Sequence, residues 1–268
     1  MRVQVIGVCR FSVLTTGGFK SGPQDLDERA AFLFNDQRLA RRMAWFRNVV
    51  LPSIRAQSDR DFTLVVLAST RLPPRWRGEL SDAVAGQDGI DLDFVEPGRH
   101  FEIGNTAISS RVAPGTEVVA QFRLDDDDAV ARDYVARVRT DFDEILLPLF
   151  LRSRAVCCDY SHGFVLQADG QMVRLYRTKV ATWTPGQTVY LPPDSENGLF
   201  SWGHHRLHGV MPTVTLGDSN MFLRGLHDAN DSSFAVPRMD TQEWGLDALP
   251  RRFDIDPDAL MTALREAG

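Results

Sequence analysis

The chain has 268 residues, 43% hydrophobic and 25% charged, enough apolar side chain for one large core. A formal net charge of −6 argues against a nucleic-acid partner, since a phosphate backbone calls for a basic surface. No Ser-, Gly- or Pro-rich linker divides the sequence, so a single domain over residues 1–268 is expected.

Residues 3–8 are apolar apart from Gln4, close to the pattern of a strand buried on both faces. Glycines and a proline mark residues 15–23 as a loop. Asn35 and Asp36 offer helix caps, and Leu39, Met43, Phe46, Val50 and Ile54 then recur as one helical stripe, which Pro52 should kink or divide. Arg38, Arg41, Arg42, Arg47 and Arg55 fall in the same stretch and read as its solvated face. A second buried strand is expected over 62–68. Pro73 and Pro74 open a helix carrying Trp76, Leu80 and Val84, and a third strand covers 90–95. Residues 96–115 lack periodicity and read as a long loop. A fourth strand, 118–124, runs into Asp125, Asp126, Asp127 and Asp128, and Val130, Tyr134, Val138 and Phe142 mark a helix after them. This β-α-β-α-β-loop-β-α order predicts an α/β fold with a doubly wound, mostly parallel sheet, whose ligands collect at the carboxyl ends of the strands.

The second half is richer in β-structure. Strands are expected over 155–167, 171–180, 187–191 and 221–226, with turns at 168–170 and 184–186 and a closing helix over 256–267. Cys9, Cys157 and Cys158 lie in apolar segments and read as free buried thiols of a reducing compartment. The first strand is too short for a secretory h-region, and the run 145–151 is too short for a membrane span and is broken by Pro148. A soluble, cytoplasmic chain without a transmembrane segment is the expectation.

Four like charges at the end of a buried strand repel one another, and a divalent cation relieves them. Asp125 and Asp127, two residues apart, can aim at one point, which suits Mg²⁺ or Mn²⁺ with a phosphorylated ligand. The plainer alternative is a solvated acidic turn, with Asp128 capping the helix that follows. His204, His205 and His208 cluster between Gly203 and Gly209. The glycines favour a loop, functional or purely structural, over a zinc-binding helix. Trp202 beside them can stack on a sugar or belong to the core.

The order of elements, the strand ending in Asp-x-Asp, and the stretch 51–67 with Gln57, Phe62 and its apolar strand resemble the GT-A fold nucleotide-sugar glycosyltransferases. Cys9-Arg-Phe-Ser12, Gln57-Ser-Asp-Arg-Asp-Phe62, Phe122-Arg-Leu-Asp-Asp-Asp-Asp-Ala129, Gly203-His-His-Arg206 and His227-Asp-Ala-Asn-Asp-Ser232 together resemble the bacterial putative rhamnosyltransferase family. The resemblance implies a sugar-nucleotide-binding half over 1–153 and an acceptor half over 154–268, with a nucleotide-sugar donor and a glycan or small-molecule acceptor as partners. It implies that Asp125 approaches the donor ribose beside Asp126, that Asp127 holds Mn²⁺ or Mg²⁺, and that His227 is a further metal ligand. Val8, Arg10 and Phe11 would flank the base. One departure stands out: Ala68-Ser-Thr70 occupies the place where many such enzymes carry an Asp, leaving Ser69 as a weak substitute. Arg123 and Lys179 are candidates to neutralise the diphosphate. Inversion, also implied by the resemblance, needs a general base, for which Asp218, Asp231 and His204 are the candidates. A metal-dependent nucleotidyltransferase and a non-catalytic carbohydrate-binding protein are the rival readings.

Overall fold

The computed structural model describes residues 1–16, 25–227 and 242–268. In the first part of the chain the elements are β1 (Val3–Phe11), β2 (Thr15–Thr16), α1 (Leu26–Leu33), α2 (Asp36–Trp45), α3 (Leu51–Arg55), β3 (Phe62–Ser69), α4 (Pro74–Val84), β4 (Ile90–Val95), β5 (Gly98–Arg99) and α5 (His100–Ser109). Then follow β6 (Val118–Asp125), β7 (Ala129–Val130), α6 (Tyr134–Asp141), α7 (Leu147–Ser153), β8 (Val156–Tyr160), β9 (His162–Ala168), β10 (Val173–Lys179), β11 (Gln187–Leu191), β12 (Thr213–Leu216), β13 (Phe222–Leu226), β14 (Gln242–Trp244), α8 (Ala248–Phe253) and α9 (Pro257–Glu266).

The fold is mixed α/β with a mostly parallel central sheet of seven strands in the order β12-β8-β11-β6-β1-β3-β4. Only β11 runs against its neighbours, β6 and β8. Side chains of β1 alternate between two apolar layers. Val5, Cys9 and Phe11 pack with α2, α3 and α4, whereas Ile6 and Val8 pack with Ala107 and Ile108 of α5. This double burial is what the predominantly apolar sequences of β1, β3 and β6 encode. A second sheet, β14-β10-β9-β13-β7, has five strands. Residues 125–128 join β6 of the first sheet to β7 of the second, so the acidic turn lies where the chain leaves one sheet for the other.

The division expected at 153/154 does not divide the sheets, because β8, β11 and β12 all extend the sheet built by the first half. The expected strand 155–167 is two strands in different sheets, broken at Ser161, whose N–H donates to the Leu216 carbonyl at 2.9 Å. The expected loop 96–115 contains helix α5. Its Gly104 lies under the Phe200 ring, where an added Cβ would come within 2.4 Å of the ring, so close packing and not amphipathic spacing sets this helix in place. The helix after the aspartates begins at Tyr134, and Val130 pairs with Phe222 in β7.

The long helix leading to Pro52 is not continuous. Residues 46–50 form a wide, π-helical turn between α2 and α3. A second such turn, 142–146, precedes Pro148. In each case a proline follows the wide turn by two residues, and widening relieves the clash of its ring with the carbonyl four residues back.

Ser12, just past the end of β1, holds φ at +49° and is buried. Its hydroxyl has no hydrogen-bond partner among the described residues. Left-handed backbone strains a side chain with a Cβ by about 1–2 kcal/mol, which outweighs the chain entropy of about 0.5–1 kcal/mol that a glycine adds to the unfolded state. Ser12→Gly is therefore expected to stabilise the fold by about 1 kcal/mol, raising Tm by about 2–4 °C in thermal denaturation.

Candidate active site

Each aspartate of the turn has a different partner. Asp125 ends β6 directly opposite Arg10 of β1, and their side chains form an ion pair. Asp126 is fully buried and ion-paired with Arg42 of α2. Asp127 Oδ2 lies 2.9 Å from His227 Nε2, one residue past β13, and the His227 ring stacks on Trp45 of α2 at 5.1 Å. Asp128 accepts from the Gly225 N–H at 3.2 Å, so it ties the turn to β13 and does not cap α6. Gly225 makes the approach of β13 to the turn possible, since a Cβ there would come 2.4 Å from the Asp127 carbonyl oxygen.

The electrostatics follow from these partners. Burial acts to raise the Asp125 carboxyl, but the charge and hydrogen bond of Arg10, with Arg123 and Arg42, outweigh it and bring it to about 2. Burial pushes Asp126 up to about 6, Arg42 and Arg38 opposing while Asp127 and Asp125 add to the rise. Burial, then Asp127 and Asp125, push Asp128 well above the usual carboxylate range against Arg224 and the Gly225 N–H. The turn thus concentrates more negative charge than its surroundings accept comfortably. One Asp126 oxygen, Oδ2, is buried with no hydrogen-bond partner among the described residues.

A cleft of about 910 Å³ opens over the turn. Its lining includes all four aspartates and the arginines Arg10, Arg38, Arg42, Arg99, Arg123 and Arg224. Aromatic and imidazole side chains also face it: His100, Phe101, Trp183, Phe200, Trp202, His204 and His205. Arg123 donates to Thr184 Oγ1 at 3.3 Å, and burial, with Arg10 nearby, lowers its guanidinium to about 10, which keeps it cationic near neutrality. Arg224 sits over the Trp183 ring at 4.7 Å.

Of the residues singled out by sequence, Arg10, Arg123, Asp125, Asp126, Asp127 and His204 line the cleft, and His227 reaches it through Asp127. Val8 and Phe11 do not. Both are fully buried in the layers on either side of β1, where Phe11 packs edge-on against Phe46, because a strand covered on both faces turns these side chains into core. Ser69 is also buried, and its Oγ accepts from the Arg71 N–H at 3.1 Å, closing the turn after β3. Asp218 lies away from the cleft lining, 61% exposed and paired with Arg137 at 3.0 Å. Lys179 is exposed at the end of β10. Asp231 lies outside the described residues. His204 opens a short 3₁₀ helix, 204–209, in which His208 is exposed.

Arg38 and Arg42 correct the reading of α2. Both are buried and line the cleft, whereas Arg47 and Arg55 are exposed as expected. Their spacing of four puts them on one helix face beside Leu39 and Met43, but nothing in that spacing names the carboxylates they meet. His100, Trp183, Phe200 and Arg224 are further lining residues that no periodicity marks.

A protein-family model described as "Putative rhamnosyl transferase" matches residues 4–239. No curated protein matches the sequence. Among solved structures, TarS residues 1–349 from S. aureus in complex with UDP aligns at a TM-score of 0.43 and 10% identity, over 84% of this chain and 61% of that one. The mannosyltransferase PcManGT from Pyrobaculum calidifontis, in complex with GDP-Man and Mn²⁺, aligns at 0.42 and 14% identity, over 85% of this chain and 58% of that one. The chain thus spans about three fifths of the length of either structure. With a family match over nearly its whole length, the chain belongs to the Putative rhamnosyl transferase family, and so to the glycosyltransferases.

Proposed function

We propose that the chain transfers a sugar, rhamnose by its family's description, from a nucleoside-diphosphate donor to a hydroxyl of a glycan or small-molecule acceptor, with inversion and with a divalent cation. The observation that carries this reading is the acidic turn at the carboxyl end of β6, sharing one cleft with six arginines. Such a cleft offers cations to a diphosphate and carboxylates to a metal and to sugar hydroxyls.

Asp127 and His227 are the proposed metal ligands. Their facing atoms, a carboxylate oxygen and a ring nitrogen 2.9 Å apart, converge as two ligands of one ion would. The unsatisfied Asp126 oxygen and the raised carboxyls beside it support a cation at this point. Hard oxygen donors with one imidazole suit Mn²⁺ or Mg²⁺. Among the described residues no three His, Cys, Asp or Glu side chains converge, so phosphate and water oxygens would complete the shell. When bound, the ion would supply positive charge to the leaving diphosphate.

The other roles fall to the chain's own groups. Asp125, held ionised by Arg10, takes donor hydroxyls, and Asp126, clamped by Arg42, holds the turn in shape. Arg123, Arg38 and Arg224 offer positive charge to the diphosphate. Trp183 and Trp202 present apolar faces on which a sugar can rest. His204 is the proposed base, being, among the described residues, the candidate for that role that lines the cleft. Residues 1–153 would supply most donor contacts and 154–268 the acceptor side. Three free, buried cysteines agree with a reducing, cytoplasmic setting, and no helix among the described residues is long and apolar enough to cross a membrane.

Thermal denaturation against UDP, GDP, dTDP and CMP, with and without Mn²⁺, tests the reading. One nucleotide is expected to raise Tm, and Mn²⁺ to enlarge the rise, by about 2.7 kcal/mol of added stability at a hundredfold excess over Kd. A flat response to all four, with and without the ion, would remove the donor site.

A further inference from the structure

We propose that His100 is a positioning residue of the donor site: as a neutral hydrogen-bond acceptor it holds the Arg10 guanidinium beside Asp125. The inference rests on the donor-site reading above and extends it to a residue outside the acidic turn. His100 is the first residue of α5, and its Nε2 lies 2.8 Å from Arg10 Nη1. A guanidinium donates hydrogen bonds and accepts none. Nε2 must therefore carry its lone pair toward Arg10, which places the ring proton on Nδ1. The other terminal nitrogen of Arg10, Nη2, is paired with Asp125. One planar cation thus spans an imidazole on one side and a carboxylate on the other. The Arg10 and Asp125 side chains are 29% and 41% exposed, and both line the cleft, so the pair is available to a ligand.

The charged groups that act on His100 are two arginines and one aspartate. Arg10 of β1 and Arg123 of β6 both disfavour an imidazolium, and Asp125 of β6 alone opposes them. Burial is the largest influence, and together these bring the imidazole down to about 4. The amino end of α5, with its positive end charge, acts in the same direction. The Phe200 ring meets His100 edge-on at 5.3 Å and limits its rotation. A protonated His100 would face Arg10 with a second donor and a like charge, and the bond would be lost. The hydrogen bond therefore persists through the neutral and mildly acidic range and fails as pH falls through about 4.

Two measurements test this. In protein labelled with ¹⁵N-histidine, long-range ¹H–¹⁵N spectra at pH 5.5 report charge and tautomer, and the His100 signals are those missing from His100→Gln. His100 is expected to be neutral with its proton on Nδ1. An imidazolium at that pH, or a proton on Nε2, would overturn the proposal. Separately, UDP, GDP and dTDP are titrated with Mn²⁺ into wild type, His100→Leu and His100→Gln. Leu is expected to weaken the best of the three roughly tenfold, as loss of a charge-assisted hydrogen bond does. Gln, whose carbonyl can still accept from Arg10, is expected to recover most of that loss, with all three proteins melting alike. Wild-type affinity in the Leu variant would overturn the proposal. Binding of none of the three nucleotides to wild type would instead sink the donor-site reading, leaving the spectra to decide whether His100 anchors Arg10.

Discussion

Asp127→Asn is expected to lower sugar transfer by about a thousandfold while leaving the fold intact or slightly more stable. The substitution keeps the shape of the side chain and a hydrogen bond to His227, but removes the anionic oxygen that meets the imidazole at 2.9 Å. Asp127 also raises the carboxyls of Asp126 and Asp128, so deleting its charge relieves repulsion inside the turn. Activity and stability should therefore move in opposite directions, which simple misfolding would not produce. Release of nucleoside diphosphate from a panel of nucleotide sugars measures the first, and thermal denaturation the second. Release of pyrophosphate from a nucleoside triphosphate would point to nucleotidyl transfer instead. Unimpaired transfer by Asp127→Asn would end the assignment of this residue.

Arg42→Met is expected to have the opposite signature, a large loss of stability. Asp126 is fully buried, and Arg42 is ion-paired with it. Removing one member of a buried pair leaves the other uncompensated and costs about 3–5 kcal/mol, or a Tm lower by about 10 °C in a protein of this size. The double variant Arg42→Met with Asp126→Asn should regain much of that loss, because no buried charge is then stranded. A double-mutant cycle by chemical denaturation gives the coupling. If Arg42→Met melts with the wild type, the pair contributes nothing to the fold, and its clamp on the turn has to be abandoned.

The parallel sheet and the acidic turn were legible because they are written in runs. An apolar stretch long enough for a doubly covered strand can do little else, and residues 118–124 followed by aspartate mark a strand's carboxyl end. The positions of Asp125, Asp126 and Asp127 in the cleft follow from that. The arginines of α2 were not legible in the same way. Arg42 resembles a solvated residue until Asp126, 84 positions away, is folded against it, and no local pattern encodes a partner at that distance. Val8 and Phe11 failed for the converse reason: nearness in sequence to Arg10 does not bring a side chain to the cleft when alternate residues of a strand point into separate cores. Helix α5 is not legible in the sequence because Gly104 and Asn105 interrupt its short apolar face, and it packs against Phe200, which comes from much later in the chain.

Helix α2 brings Arg38, Arg42 and Trp45 to the site, and then meets the wide turn 46–50 before Pro52. A π turn accommodates one residue more than a regular turn, which amounts to about 100° of rotation about the helix axis. It works as a phase adjuster. Before it, Arg38 and Arg42 face the cleft while Leu39, Met43 and Trp45 belong to the core; after it, Leu51 and Ile54 continue that core. One helical run thereby carries guanidiniums to the cleft and apolar side chains to the core, with its angular register reset in between.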